Sequence, residues 1–451
     1  SSPYNRINQN GPDEMGWRAT TTNQNLNRDY MKADTPETRA WLRLWNRWNP
    51  DLFIDCHVTD GADYRYNITY QFEHHAGVAP SVLAWEREVI DGKVFPAAEA
   101  AGNVLSWYLE FIDNRYLTQG IRDFNGSPRF STGYVPLRNR PGVLIETHML
   151  KDYRSRVIGT YDFLRFTLAE VNRNPQRLLD AVREADESTI QAGEAYDTTN
   201  EYPLDFELTD VARPFNLKAV EYHTELSEIS GAVRVVFGTR PLDLTVPMFD
   251  TFRVKRSVAR PLCYIVPPQW TEVIEVLKRH GLRLQQALET KEIEIESYRF
   301  SEVRWANAPF EGRFITSLKA EKLRERRTFP AGSILVPLNQ SLARVAINLL
   351  EPEAPDSLLT WGFFHAIFEQ KEYGETYVLE KLAREMLAQD PELRQEFERR
   401  LATDNDFVSH PSERLLFFYR RSPYGDPQMN LYPVGRITES VKLKAADLRL
   451  L

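Results

Sequence analysis

A loop near the start of the chain carries residues that can hold an anion. Arg18 is followed by Asn27 and Arg28, so two arginines and an asparagine fall within eleven residues of a stretch rich in Asn, Gly and Thr. A guanidinium group is planar, permanently charged and able to donate two parallel hydrogen bonds to a carboxylate or an oxyanion. Taken alone, such residues are most simply exposed arginines of a surface loop, so their interpretation depends on what accompanies them.

Two short apolar runs each end in a residue that can move a proton or bind a metal. One run ends at His57 and the other, from Gly142, ends at Glu146. Both predict short buried strands, and on the first strand Asp55 and His57 share one face. Sheets of α/β proteins place ligands at the carboxyl ends of strands, and a carboxylate there is costly unless it is paired, hydrated or functional. A hydrogen-bonded structural histidine and a glutamate that reaches solvent are the simpler alternatives.

The order of these groups makes the pattern more specific than any one of them. It resembles the M14 family of zinc carboxypeptidases, the carboxypeptidase A type, over about residues 1–190. The family pattern is met, in order, by Trp17-Arg18, Asn27-Arg28, His57 and Glu146. The resemblance implies a Zn²⁺ cofactor and, as the partner, a peptide substrate with a free C-terminal carboxylate.

The resemblance also implies a role for each residue of the reaction centre. His57 matches the third zinc ligand of the family. Glu146 matches the general base, which takes a proton from water and passes it to the leaving amine. Arg18 matches the residue that polarises the scissile carbonyl and stabilises the oxyanion. The function implied is therefore a zinc metallocarboxypeptidase that hydrolyses C-terminal peptide bonds.

Substrate binding is implied for three further residues. Asn27 and Arg28 match the pair that grips the C-terminal carboxylate of the substrate. Tyr134 is the best candidate for the mobile tyrosine that closes over the bound peptide, although Tyr108 and Tyr116 compete for that role because the loop spacing varies.

The family pattern is met only in part. Its first two zinc ligands come from a His-x-x-Glu motif upstream of the arginines, but only a short loop precedes Arg18, and the letters His410-Pro-Ser-Glu413 lie far downstream, where we interpret them as a chance match. A catalytic zinc takes three protein ligands and a water. We therefore expect the chain to lack the N-terminal segment of the family, and to be inactive by itself unless another segment supplies the two ligands. Asn25 also stands where the family usually has an aspartate behind a ligand histidine.

Two other functions are compatible with the same residues. One is a zinc-dependent N-acyl amino acid deacylase of the aspartoacylase or succinylglutamate desuccinylase type, which uses zinc, arginines and a terminal glutamate. The other is a non-catalytic peptide-binding pseudoenzyme that keeps Arg28 and has lost the metal. The Asn27-Arg28 pair and the Tyr134 loop favour the peptidase.

Composition limits the partners. The 451 residues are 42% hydrophobic, carry a net charge of −8 and contain no long basic block, so nothing indicates nucleic-acid binding. No apolar run approaches the length of a membrane span. The chain begins Ser-Ser-Pro-Tyr without Met, so the sequence does not identify the cellular compartment. Export to a periplasm or the extracellular space is one interpretation, with the signal region outside this chain.

The elements that must position these residues indicate an α/β fold. Short buried strands alternate with amphipathic helices, predicted at about 80–91, 97–113 and 151–187, with a loop over 119–141. The family resemblance implies a three-layer sandwich with a mixed central sheet, N-terminally incomplete, followed by a β-rich, α/β and helical extension. The predicted domains are the catalytic portion (1–190), a β-rich module (191–255), an α/β module (256–355) and a mainly helical region (356–451).

Overall fold

The computed structural model describes residues 18–199, 201–439 and 448–450. The α-helices are α1 (Pro36–Trp48), α2 (Pro80–Glu86), α3 (Phe95–Ala100), α4 (Ser131–Leu137), α5 (Tyr153–Arg173), α6 (Pro175–Gln191), α7 (Thr271–Arg279), α8 (Ala343–Leu350), α9 (Thr376–Gln389), α10 (Pro391–Thr403), α11 (Asn405–Ser409) and α12 (Pro411–Tyr419). Short 3-10 turns lie at Leu26–Arg28, Leu117–Gln119 and His365–Phe368, and a π-helical stretch, Arg87–Val94, joins α2 to α3. Within these ranges no helix has the length and apolar character needed to cross a membrane.

The strands form several separate sheets. They are β1 (Phe53–Thr59), β2 (Ile68–Gln71), β3 (Leu105–Trp107), β4 (Glu110–Phe111), β5 (Ile121–Arg122), β6 (Gly142–His148), β7 (Glu201–Leu208), β8 (Ala212–Leu226), β9 (Val233–Phe249), β10 (Phe252–Ala259), β11 (Cys263–Val266), β12 (Gln285–Ala287), β13 (Lys291–Trp305), β14 (Thr316–Phe329), β15 (Ile334–Pro337), β16 (Gly435–Ile437) and β17 (Leu448–Leu450). The fold is therefore mixed α/β, as predicted, and the three-layer sandwich stays a prediction.

The first sheet positions the candidate site. Its strand order is β1-β6-β2-β3, with β1 parallel to β6, β6 antiparallel to β2, and β2 parallel to β3, so the sheet is mixed. Helices α2, α3, α5 and α6 cover one face through a buried apolar cluster that includes Trp85, Ile145 and Phe163. Successive side chains of a strand point to opposite faces. His57 and Glu146, which lie side by side in the register of β1 and β6, therefore face away from those helices.

The helix predicted over about 97–113 is wrong beyond Ala100. Helix α3 ends at Ala100, and Gly102 adopts a φ of +96°, a left-handed conformation that favours glycine and ends helices. The following residues form β3, which pairs in parallel with β2, Leu105 lying opposite Ile68. This pairing joins residues far apart in sequence, so the local pattern does not indicate it.

The segment predicted as a loop over 119–141 contains the helix α4 and the short strand β5. Every residue of α4 from Ser131 to Leu137 is buried, and Pro136 lies inside it. A helix that is buried on all sides has no alternation of apolar and polar faces, so its sequence carries no helical period. The helix at 151–187 is present as α5 and α6, divided at Asn174, whose side chain caps the start of α6.

The remaining strands connect the predicted modules. β8 and β9 form a long antiparallel pair, and β9 also pairs with β5, so one sheet has the order β4-β5-β9-β8. The largest sheet has the order β14-β13-β16-β11-β15-β12-β17. In the sequence, helices α9 to α12 come after β15 and before β16, and both of these strands belong to the largest sheet.

Arg436 anchors β16 through a buried ionic network. Its Nη1 atom lies 2.6 Å from Glu296 Oε2, and its Nε atom lies 2.8 Å from Glu351 Oε1. The hydroxyls of Tyr264 and Tyr298 donate to Glu351 at 2.6 and 2.7 Å. Because the guanidinium is 1% exposed, it depends on these carboxylates for its neutralisation.

Candidate functional site

A single pocket contains five of the six site residues predicted from the sequence. Its volume is about 280 Å³. The predicted residues that line it are Arg18, Asn27, Arg28, His57 and Glu146. Trp17 lies outside the described residues. The loop, the first strand and the sixth strand therefore meet, although more than a hundred residues separate the first from the last.

The parallel pairing of β1 and β6 brings the two strand ends together. His57 lies opposite Glu146 in the register, and both side chains point to the pocket face. The Nδ1 atom of His57 lies 3.8 Å from Oε1 of Glu146. Each strand continues two residues beyond its predicted end, so His57 and Glu146 lie near, not at, the carboxyl ends of β1 and β6. Parallel strands place their carboxyl ends at the same sheet edge, which is the reason that these two residues form one site.

Asp55 holds the ring of His57. Its Oδ2 atom lies 2.8 Å from His57 Nε2 and accepts a 2.5 Å hydrogen bond from the Ser131 hydroxyl. Burial disfavours the charged ring, but the hydrogen bond and charge of Asp55, with the charge of Glu146, outweigh it and raise the pKa of His57. The bond at Nε2 leaves Nδ1 as the nitrogen on the side of Glu146.

The pKa of the Glu146 carboxyl lies near neutrality. Its side chain is 8% exposed, and burial raises its pKa to about 7, against the opposing effect of His57. Its Oε2 atom is buried and has no hydrogen-bond partner among the described residues. A carboxylate with a free oxygen and a pKa near the working pH suits proton transfer.

The other end of the pocket is cationic. Arg28 lies over the ring of Phe130, 4.1 Å from its centroid, and donates from Nη1 to the Asn27 carbonyl at 2.6 Å. Burial lowers the pKa of Arg28, and the charge of Arg18 lowers it further. Two neighbouring guanidinium groups in a partly buried site favour a bound anion, which relieves their repulsion.

Local hydrogen bonds shape the loop that presents this cationic end. The Asn25 side chain accepts from the Asn27 backbone N–H at 3.0 Å and caps the 3-10 turn. The Asn27 side-chain oxygen accepts from the Ser131 backbone N–H at 2.9 Å, which leaves its NH₂ group for a ligand. Asn25 thus has a structural partner within its own loop.

Tyr134 does not line the pocket. Its side chain is fully buried in a different apolar cluster, where its hydroxyl lies 2.8 Å from His280 Nδ1 and accepts from Arg138 at 3.0 Å. A buried hydroxyl needs such partners, and they fix this ring away from the site. Tyr108, one of the two competing tyrosines, lines the pocket, and burial raises its pKa to about 12.

Several lining residues carried no signal in the sequence. Asp60 follows β1 directly, and Phe124, Phe130 and Thr132 come from the segment predicted as a loop. Asp60 reaches the pocket because it directly follows β1, the strand that carries His57. The proximity of the other three residues to Glu146 depends on tertiary packing, which no spacing within 119–141 could indicate.

The described residues alone do not complete a catalytic zinc centre. They contain no group of three or more His, Cys, Asp or Glu side chains placed to hold a metal ion. Nδ1 of His57 offers one nitrogen donor, whereas catalytic zinc takes three protein ligands. The Zn²⁺ cofactor therefore stays a prediction.

The chain is similar to fungal proteins named carboxypeptidase 2. It is 24% identical over 370 residues to Carboxypeptidase 2 of Trichophyton equinum and to that of Trichophyton tonsurans, which covers 76% of this chain and 63% of each relative. It is also 24% identical over 354 residues to Probable carboxypeptidase 2 of Arthroderma benhamiae, with shares of 76% and 64%. The chain thus spans about 63% of the length of these relatives. No family model and no solved structure matches it.

Proposed function

We propose that the chain is a carboxypeptidase that acts on peptides at their free C-terminal end. The observation that carries this proposal is the shared pocket, in which a cationic end with Arg18 and Arg28 adjoins a proton-handling end with His57 and Glu146. The similarity to proteins named carboxypeptidase 2 supports the same class of reaction. The M14-type sandwich implied by the sequence pattern belongs to this proposal.

In the proposed reaction, Arg28 and the Asn27 amide bind the terminal carboxylate of the peptide. Glu146, as the carboxylate, removes a proton from the water that attacks the scissile carbonyl. Arg18 stabilises the negative oxygen of the intermediate. The C–N bond then breaks, and Glu146 returns its proton to the leaving amine, so that one water is consumed for each amino acid released.

The proposed metal is zinc, and His57 is the described residue that would help to hold it. When bound, zinc would supply Lewis acidity and favour ionisation of the water. Two further ligands would have to come from outside the described set. Asp55 would then orient the ring of a metal-ligating histidine, as carboxylates behind such histidines do.

Peptide binding with and without a terminal charge tests the proposal. A fluorescent peptide with a free C-terminal carboxylate should bind and lose its last residue, whereas its C-terminal amide should do neither. Arg28→Gln should weaken binding of the free acid by about 10- to 100-fold, which corresponds to a lost charged hydrogen bond. Arg115→Gln, at an exposed arginine paired with Asp113, is the matched control and should change nothing. Equal binding of acid and amide would overturn the proposal.

Two added measurements separate the alternatives. Mass spectrometry of the purified protein gives its zinc content. Binding of the free acid without zinc or turnover would identify the non-catalytic peptide-binding protein. Hydrolysis of N-acyl amino acids without release of C-terminal residues would identify the deacylase.

A further inference from the structure

A second pocket, unrelated to the candidate site, lies where α6, α8 and the end of β10 meet. Its volume is about 210 Å³. Two arginines line it, Arg260 just after β10 and Arg344 in α8, together with Thr189 at the end of α6 and Tyr202 at the start of β7. The pocket therefore joins the region of the first sheet to the region of the largest sheet.

Neither guanidinium group of this pocket has a carboxylate ion pair within the described ranges. Arg344 donates from Nε to the Thr189 hydroxyl at 3.2 Å and from Nη1 to the Gly77 carbonyl at 2.6 Å, and both acceptors are neutral. Arg260 has no hydrogen bond or ion pair there, and its guanidinium lies 5.5 Å from the centroid of the Tyr202 ring. The pocket therefore holds two guanidinium groups whose charges no carboxylate of the described residues neutralises at ion-pair distance.

The Tyr202 hydroxyl supplies a third donor. Its side chain is 3% exposed, and its oxygen accepts a 3.0 Å hydrogen bond from Asn348 Nδ2. No residue in the described part of the chain accepts the hydroxyl hydrogen. Because buried donors are rarely left without an acceptor, this hydrogen is available to an acceptor atom of a ligand.

The electrostatics of the pocket favour the binding of an anion. Burial lowers the pKa of Arg260 and Arg344 lowers it as well, while Tyr202 and the carboxylate of Asp197 oppose that change. Asp197 is not within ion-pair distance of either arginine. Two like charges that face one cavity repel each other, and an anion between them would remove this repulsion.

We propose that this pocket binds an oxyanion of the phosphate class, either inorganic phosphate or the phosphoryl group of a small molecule. Two guanidinium groups and one hydroxyl approach from three elements, which suits a tetrahedral anion with several acceptor oxygens better than a planar carboxylate with two. A bound anion would link Arg260, after β10, to Arg344 in α8. Arg344 in turn donates a hydrogen bond to Thr189 of α6. The anion would therefore stabilise the contact between the two sheet regions.

Thermal unfolding of the whole chain at constant ionic strength tests this site. Inorganic phosphate and glycerol 3-phosphate should each raise Tm in a saturable way against a sodium chloride reference, and the tighter of the two identifies the source of the phosphoryl group. In the Arg28→Gln variant, which lacks the proposed carboxylate-binding arginine of the candidate site, sodium acetate should give no saturable shift. Equal shifts with acetate, or no shift beyond that of chloride, would overturn the proposal.

Substitutions in the second pocket test whether phosphate binds there. Arg260→Gln should reduce phosphate affinity by 10-fold or more, and Tyr202→Phe should reduce it several-fold while keeping the ring in place. Arg256→Gln, in β10 shortly before Arg260 but exposed and paired with Glu353, is the matched control and should retain the shift. Arg28→Gln should also retain it. If Arg28→Gln removes the phosphate shift and Arg260→Gln does not, the anion binds in the candidate active site and the proposal is wrong.

Discussion

The imidazole ring of His57 is held from one side by Asp55, whose carboxylate lies 2.8 Å from Nε2, while Nδ1 lies 3.8 Å from Glu146. One nitrogen is therefore fixed by a structural bond, and the other is available on the side of the pocket. The Ser131 hydroxyl in turn holds Asp55. This chain of contacts links α4 to the sheet edge and gives Asp55 a positioning role in the proposed reaction.

Asp55→Asn tests that role. The amide keeps the size of the side chain but loses its charge. The pKa of His57 should therefore fall, because burial lowers it and the Asp55 carboxylate no longer raises it. Loss of a carboxylate behind such a histidine typically costs 10- to 100-fold in activity, and about that loss of kcat/KM is expected. NMR titration of His57 and peptide hydrolysis measure the two effects. Asp51→Asn, outside the pocket, should leave both unchanged, and an unaltered His57 pKa in Asp55→Asn would contradict the assignment.

Glu146 should govern the acid limb of the pH–rate profile. Only the carboxylate can accept a proton, and its pKa is about 7, so kcat/KM should rise with pH through about 7. Glu146→Gln removes the base and should lower kcat by roughly 10² to 10⁴ with little change in KM. Steady-state kinetics from pH 5 to 9 provide the measurement. An acid limb near pH 4.5 would show that Glu146 is not the base.

The Glu146 carboxyl should also make the free energy of unfolding depend on pH. The folded pKa of about 7 lies above the ordinary value of 4.5, so the fold favours the neutral form. This contribution is fully present below pH 4.5 and is lost as pH rises through about 7. At pH 8, Glu146→Gln should therefore be more stable than the parent by about 3 kcal/mol, and at pH 4 nearly equal to it. Urea unfolding measures the difference, with Glu228→Gln as an exposed control that should show no such pH-dependent gain.

The two tyrosines should respond in opposite ways. Tyr108→Phe alters a pocket hydroxyl and should lower kcat/KM several-fold with unchanged stability. Tyr134→Phe removes the bond to His280 and leaves a buried partner unsatisfied, so it should cost about 1–3 kcal/mol of stability with little effect on kcat. Parallel kinetics and denaturant unfolding of both variants check this. The reverse result would restore Tyr134 as the functional tyrosine.

Arg436 should be among the most sensitive positions for stability. Arg436→Met leaves Glu296 and Glu351 buried without their cation, and breaking a buried pair in this way costs about 3–5 kcal/mol. Arg326→Met, at an arginine whose side chain is 73% exposed, should change stability by less than about 0.5 kcal/mol. Denaturant unfolding provides the comparison, and equal effects would contradict the proposed importance of the network.

The candidate site was largely predictable because its residues sit at recognisable boundaries. His57 and Glu146 end short apolar runs, and such runs predict buried strands without any knowledge of the fold. Arg28 and its neighbours were assigned through their order in a known pattern. The structure then supplied what the order could not, namely the register that places His57 beside Glu146.

The parts that could not be predicted depend on contacts between distant segments. The sequence does not show whether Tyr108 or Tyr134 reaches the pocket, because their positions depend on tertiary packing, which places Tyr108 in the pocket and Tyr134 in the core. Helix α4 has no polar face and so no helical period. Strand β3 follows a helical run and is defined by its pairing with β2.

The place of β16 in the largest sheet has a consequence for biosynthesis. This strand lies between β13 and β11, yet it follows both of them by more than a hundred residues in the chain. As the polypeptide leaves the ribosome, β11 to β15 emerge long before the strand that joins β13 to β11. The sheet therefore cannot close until residues 435–437 have left the ribosome, and until then its apolar faces are exposed to solvent or covered by chaperones.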